Sequence, residues 1–300
     1  MADQATGDAE ERKAHEYGRP LFIEDASNRF VIHPLSDLIV KIGIITGISP
    51  NIVSLAGLAS GIFAAFLYYQ LPQPAYVLGA FAAMLGWHIL DGADGRLARA
   101  TGKTSAFGRI IDGACDHLVF SAVYIALAIH IVDAGTSAAV WWLVVGAGLS
   151  HAVQAAGYEE RRQKYQRRLD GISRETVEES LLTVDGKKSA LAVVYDYAQK
   201  FVAGGNYGLD AKLAALHGSE DGKRQAAALV TKTVPMVRAW GLLNANNRTF
   251  LIFLFALIGQ PILYFVFEVL ALNFALILLM IAERKMEKTL VAETLVVEAA

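Results

Sequence analysis

The sequence predicts an all-α polytopic membrane protein with six transmembrane helices plus an N-terminal amphipathic interfacial helix. Three observations carry that expectation. Of the 300 residues, 54% are hydrophobic, and the mean hydropathy is +0.38, too apolar for an ordinary soluble chain of this size. Apolar stretches near the length of a bilayer recur along the sequence. The connections after the first, third and fifth stretches are short and contain no Lys or Arg, while the other connections contain both.

Residues 1–26 are small, polar and charged, the composition of a disordered tail. The first forty residues lack an apolar core, so no cleavable signal peptide is expected. Residues 27–49 form the amphipathic juxtamembrane segment. His33-Pro34 can start a helix there, with Leu35, Leu38, Ile39 and Ile42 on one face and Asp37 and Lys41 elsewhere.

Residues 50–300 hold the six spans: 52–70, 75–90 with its helix continuing through Arg99, 105–132, 137–156, 249–260 and 262–282. The fifth is short for a bilayer of roughly 30 Å. An earlier start around Val234 to Leu243, with a break near Asn244 to Asn247, would lengthen it. Gly57 and Gly61 have the small-xxx-small spacing of a close helix contact. Between the fourth and fifth spans lies a polar helical insertion at about 158–248. It begins with the basic run Arg161, Arg162, Lys164, Arg167 and Arg168, read as an extension of the fourth helix. Leu181 to Leu216 shows helical spacing with a break at Gly204-Gly205.

The distribution of Lys and Arg places both termini in the cytoplasm and points to an inner-membrane protein. A net charge of −2 gives no global basic character, so no nucleic-acid partner is expected. The single cysteine, Cys115, excludes an intramolecular disulfide and reads as a helix-packing residue.

Chemistry concentrates in one 26-residue stretch with the pattern D-x2-D-G-x2-A-R-x8-G-x3-D-x3-D, from Asp91 to Asp116. Ionised carboxylates are costly in an apolar setting, so four of them together imply a function that needs them. Asp91 and Asp94 share a helix face, as do Asp112 and Asp116. A polar turn through Gly102 and Lys103 would set the two helices antiparallel and aim all four carboxylates at one place. Their mutual repulsion calls for cations. Oxygen-only ligands favour a hard divalent ion, Mg2+ or Mn2+, and two such ions can hold a phosphate-bearing substrate.

The pattern resembles the signature of the CDP-alcohol phosphotransferase family and matches it at every fixed position: Asp91, Asp94, Gly95, Ala98, Arg99, Gly108, Asp112 and Asp116. The resemblance implies an enzyme in which a CDP-linked donor loses CMP and its other phosphate moves to the hydroxyl of an acceptor alcohol. It implies that Asp91, Asp94, Asp112 and Asp116 hold two divalent ions. Asp116, as the last Asp of the motif, would be the general base. The nucleotide would contact Asp94, pass close to the small residues Gly95, Ala98 and Gly108, and meet Arg99 through its phosphates. Pro50-Asn51 is similar to the family's element before the first span, which would bring Asn51 to the nucleotide. The resemblance also implies a homodimer embedded in membrane lipid.

Weaker candidates lie outside the motif. Arg161 and Arg162 could bind an anionic acceptor, or the basic run could anchor on anionic lipid. Glu268, deep in the sixth span, faces the bundle interior or water and could line the acceptor pocket, with Asn273 its obvious polar companion in that helix. His88 and His117 flank the motif and read as packing histidines.

The favoured donor is CDP-diacylglycerol, with glycerol phosphate, inositol phosphate or serine as acceptor. One alternative is a headgroup transferase passing choline or ethanolamine phosphate to a lipid alcohol. Another class is a divalent-cation transporter, which gives no reason for the spacing of Gly95, Ala98, Arg99 and Gly108. A catalytically dead scaffold would have no need of four aspartates.

Overall fold

The computed structural model of the protein describes residues 23–104, 106–172 and 208–298; of residues 106–114, 116 and 294–298 the helical backbone alone is described. Every regular element among the described residues is a helix. The chain divides into two compact units, Met1–Ser150 with Ala245–Leu270, and His151–Asn244 with Ala271–Ala300.

In the first unit a π turn, Asn28–Ile32, leads into α1, His33–Thr46. The α-helix begins at His33-Pro34, as the sequence suggests, but as the continuation of a helical turn. Ile32 is already helical (φ −64°, ψ −53°), and the His33 N–H reaches back to the Asn28 carbonyl. Proline lacks an N–H and its ring crowds the carbonyl one turn back, and a widened turn takes up both. The predicted apolar stripe of α1 is divided. Leu35, Leu38 and Ile42 are exposed, whereas Ser36 and Gly43 are buried and Ile39 packs beside Val53, Ala93 and Leu97.

The next three helices follow the predicted spans closely: α2, Pro50–Tyr69; α3, Pro74–Ala100; and α4, Ala106–Asp133. Pro50 and Pro74 each sit in the first turn, where a missing N–H costs nothing. α3 ends at Gly102, whose φ of +65° suits a residue without a side chain. The Gly102 N–H bonds the Arg99 carbonyl and the Lys103 N–H bonds the Ala98 carbonyl, at 3.3 and 2.9 Å. That pair of bonds closes the helix and starts the turn expected from the sequence.

α5, Val140–Asp170, is one continuous helix through the basic run, as the sequence suggested. The predicted break before the fifth span falls at Asn244, which is extended (ψ 163°) and separates α8, Val234–Trp240, and its trailing 3-10 turn from α9, Ala245–Leu257. The stretch predicted as a sixth span opens with α10, Pro261–Phe267, passes a π turn at Glu268–Leu272, and continues as α11, Asn273–Glu298.

The core of the first unit joins α2, α3, α4, α9 and α10 through Tyr68, Met84, Trp87, Val119, Val123, Leu127, Ile252 and Phe265. Gly57 and Gly61 make the close contacts their spacing predicts. A Cβ on Gly57 would lie 3.4 Å from Leu90 Cβ, and one on Gly61 would meet both methyls of Val119. Three helices among the described residues are long and apolar enough to cross a membrane: Pro50–Tyr69, Pro74–Ala100 and Pro261–Glu293.

In the second unit, α6 (Leu209–Leu216), α7 (Glu220–Thr231) and α8 accompany the distal half of α5 and α11. The part of the predicted Leu181–Leu216 helical stretch from 181 to 207 lies outside the described residues. α5 and α11 meet through paired polar groups. Gln154 donates to Asn273 at 2.8 Å, Arg161 pairs with Glu283 at 2.7 Å, and Lys164 and Arg168 each pair with Glu287 at 2.8 Å.

Candidate active site

The C-terminal turns of α3 carry five of the motif residues. Asp94 is buried, 3% exposed, although it is ionisable. Burying a carboxylate requires donors, and α2 supplies one: the Ser54 hydroxyl donates to Asp94 Oδ2. The Gly95 N–H donates to Oδ1. Asp91, one turn earlier, is half-buried.

Among the described residues, a Cβ placed on Gly95 would approach the Arg99 guanidinium alone, with Nη1 at 3.6 Å. Ala98 is half-buried and Arg99 is exposed at the helix end. Arg96 faces the other way. It is 8% exposed, pairs with Asp37 of α1, and donates to the His33 carbonyl at 3.3 Å. The Ser36 hydroxyl donates to the Ile89 carbonyl at 2.7 Å, and a Cβ on Gly92 would sit 3.0 Å from it. α1 therefore braces the motif helix from behind.

His88 is buried with its Nε2 2.8 Å from the Thr249 hydroxyl of α9, a packing role as expected. His117 is exposed. Asn51 is exposed in the first turn of α2, one turn before Ser54. Gly108, Asp112 and Asp116 lie on the helical backbone of α4, but their side chains are outside the described residues. Cys115, between them, is buried.

The three candidate acceptor residues are engaged by protein groups. Arg161, 3% exposed, is held by Glu283 and stacks 3.8 Å above the Trp240 ring. Arg162 pairs with Glu159 at 3.3 Å and lies over the Tyr158 ring. Their run is packed within the second unit against Glu160, Asp210, Glu283 and Glu287, not spread on a free surface. Glu268 faces the interior, fully buried, where it meets Arg248 Nε at 3.3 Å and accepts from the Tyr264 hydroxyl at 3.1 Å. Asn273, expected beside it, bonds Gln154 instead.

Ser54 is the functional candidate that sequence reasoning missed. Its signal was present: Ser54, Gly57 and Gly61 form one small-residue stripe along α2, with Gly57 against α3 and Gly61 against α4.

The fit to divalent ions rests on donor chemistry. Asp94 accepts from Ser54 and Gly95, and Asp91 stands on the same face, so the described donors are hard oxygens. No cluster of three or more His, Cys, Asp or Glu side chains occurs among the described residues.

Residues 47–167 match the sequence profile of the CDP-alcohol phosphatidyltransferase family. Similar proteins include a phosphatidylinositol phosphate synthase of Mycolicibacterium smegmatis, 30% identical over 113 residues, which is 37% of this chain and 44% of that protein. A phosphatidylinositol phosphate synthase of Mycobacteroides abscessus is 28% identical over 125 residues, 42% of this chain and 48% of that one. An archaetidylinositol phosphate synthase of Pyrococcus horikoshii is 34% identical over 83 residues, 28% of this chain and 42% of that one. The chain thus spans less than half the length of the curated relatives it matches. No solved structure gives a significant match. The whole aspartate signature, Asp91 to Asp116, lies inside the segment that matches the CDP-alcohol phosphatidyltransferase family.

Proposed function

We propose that this chain is an integral membrane transferase that moves the phosphatidyl group of CDP-diacylglycerol to a hydroxyl of inositol phosphate, with release of CMP. In the reaction the acceptor oxygen forms a new bond to the lipid-bearing phosphorus. The bond from that phosphorus to the bridging oxygen breaks, and CMP leaves with the electron pair. The acceptor's proton passes to a carboxylate, assigned here to Asp116. The observation that carries the reading is the face of α3 on which buried Asp94, half-buried Asp91 and Gly95, and exposed Arg99 stand together.

Helix register supports the second half of the site. Trp87 of α3 meets Phe120 of α4 edge to face at 5.3 Å. Asp91 is four residues beyond Trp87 and Asp116 four residues before Phe120. In two helices joined by a short turn and running antiparallel, those steps lead to the same level on facing sides. Asp91, Asp94, Asp112 and Asp116 would hold two Mg2+ or Mn2+ ions, whose charge would offset the negative charge that builds on the phosphoryl oxygens. Gly95, Ala98 and Gly108 leave room for the nucleotide, Asn51 borders it, and Arg99 offers a planar pair of donors to phosphate oxygens. The inositol phosphate acceptor is favoured because that word is common to the three relatives' names.

The proposal includes six spans, formed by α2, α3, α4, the apolar half of α5, α9 with the turns before it, and the α10–α11 helix. The exposed Leu35, Leu38 and Ile42 of α1 support an interfacial position for that helix. The motif would then lie at the cytoplasmic end of α3 and α4 in the inner membrane, within a homodimer.

The test is CMP release by the full chain in nanodiscs with Mg2+ or Mn2+. CDP-diacylglycerol would be offered with inositol phosphate, glycerol phosphate or serine, and CDP-choline or CDP-ethanolamine with diacylglycerol. Release that needs CDP-diacylglycerol and inositol phosphate together is the expected result. Release with another acceptor alone would overturn the substrate, and release from CDP-choline would favour a headgroup transferase. No release and no metal-dependent CMP binding would overturn the transferase.

A further inference from the structure

We infer that Ser54 is a positioning residue: its hydroxyl, delivered from α2, fixes the Asp94 carboxylate of α3 in the orientation that binds a divalent cation. The inference rests on the metal-dependent reading of the site given above, and it concerns a residue outside the eight-residue signature.

The hydroxyl proton has two acceptors within reach. One is the Pro50 carbonyl, one turn back at 3.3 Å, the ordinary local bond of a helical serine. The other is Asp94 Oδ2, the closer of the two. A serine has one O–H to donate, and a carboxylate oxygen is the stronger acceptor, so the proton belongs to Asp94. Ser54 and Asp94 are 8% and 3% exposed, so water does not substitute freely for either partner.

The bond also spans two helices. Gly57, one turn further along α2, brings the backbones close enough that a Cβ there would lie 3.8 Å from the Asp91 N atom. A serine side chain is short, and it reaches Asp94 because this contact holds α2 against α3. With one oxygen tied to Ser54 and the other to the Gly95 N–H, the carboxylate is held against rotation. A carboxylate fixed in this way loses less freedom when it binds a metal. Outer partners of metal ligands typically contribute about 10- to 100-fold to affinity or activity.

The test compares Ser54→Ala, Ser54→Thr and Ser60→Ala in the full purified chain. Ser60 is the control because it makes a similar bond across the same pair of helices, to the Ala83 carbonyl at 2.8 Å, away from the aspartates. Mn2+ binding is followed by loss of the free-ion EPR signal, and by the Mn2+ dependence of CMP binding. Ser54→Ala should raise the Mn2+ needed for half-saturation roughly 10-fold or more. Ser54→Thr, which keeps the hydroxyl, should restore most of the affinity. Ser60→Ala should lower the melting temperature without changing the Mn2+ requirement.

Unchanged Mn2+ affinity in Ser54→Ala would overturn the inference while leaving the transferase reading intact, as would an equal weakening in Ser60→Ala. Absence of Mn2+ binding in the wild-type chain would instead remove the metal-dependent reading itself. Should Ser54→Ala fail to fold, Ser54→Cys keeps the shape with a much weaker donor, and the same rise in Mn2+ requirement is expected from it.

Discussion

Replacing Gly61 by Ala is the sharpest perturbation of the helix packing under the site. The added Cβ would lie 3.0 Å from Val119 Cβ and nearer still to both of its methyls. Carbon atoms rest at about 3.5–4.0 Å, so α2 and α4 must separate by roughly 1 Å. A rotamer change gives no escape, because a valine in a helix is held to one strongly preferred rotamer. Overpacking of this kind costs about 1–3 kcal/mol, or roughly 5 °C in melting temperature for a unit of this size. Val119 stands three residues after Asp116 on α4. A displacement of ~1 Å in catalytic groups can cost on the order of 100-fold in rate, and CMP release should fall by that order. Val119→Ala removes the obstructing methyls at its own cost of about 1–2 kcal/mol. The double variant should recover both stability and CMP release, with a coupling energy of about 1–2 kcal/mol between the sites. Melting and turnover of the four proteins measure this directly. Additive effects, within about 0.5 kcal/mol, would refute the close contact as the cause.

Asp116→Asn should abolish CMP release while leaving the melting temperature near that of the wild type; near-normal turnover would remove Asp116 as the base. Glu268→Gln should destabilise the first unit by about 3–5 kcal/mol, because it removes one charge of its fully buried ion pair with Arg248. Replacing both by apolar residues should cost less than the single change, a comparison thermal melts can make. Asp210 predicts a pH dependence in the second unit. Burial raises its carboxyl, but the charge and hydrogen bond of Arg168, 2.6 Å away, lower it by more, so it titrates below the ordinary value. The folded state then binds the proton less readily than the unfolded chain. The pair's stabilisation is complete above the ordinary Asp value of about 3.9 and is lost as pH falls through the folded value. The melting difference between wild type and Asp210→Asn should hold from about pH 7 to 5 and close below about 4, and a gap independent of pH would contradict it.

Helix positions were legible in the sequence because proline and glycine punctuate the chain at Pro50, Pro74, Gly102 and Pro261, each of which lies at a helix end in the structure. The break at Asn244 was legible for a similar reason, as a run of helix-breaking asparagines between apolar segments. Half of the candidate site was legible on a single helix, since i,i+3 spacing alone puts Asp91 and Asp94 on one face. Pairings between distant segments were not. Nothing local in the sequence joins Arg96 to Asp37, Ser54 to Asp94, or Arg248 to Glu268. The basic run shows why. Read by itself it is a surface patch, but its partners Glu283 and Glu287 lie more than a hundred residues later and neutralise it.

The packing of α3 explains how a charged motif can stand in so apolar a setting. Three elements hold this helix from different sides. α9 meets it at His88 through Thr249, α1 meets it at Ile89, Gly92 and Arg96, and α2 meets it at Leu90 and Asp94. Several contacts near the aspartates use a small or hydroxyl-bearing residue: Ser36, Gly43, Ser54 or Gly57. Small residues let helix backbones approach closely, and in an apolar medium close approach takes the place of a hydrophobic driving force between helices. Hydroxyls at those same positions satisfy polar groups that lipid cannot. Braced by these small polar contacts, α3 is held in position together with its motif residues. A bulky residue at Ser36 or Gly57 should therefore impair the site as surely as a change in the signature itself, although neither residue belongs to it.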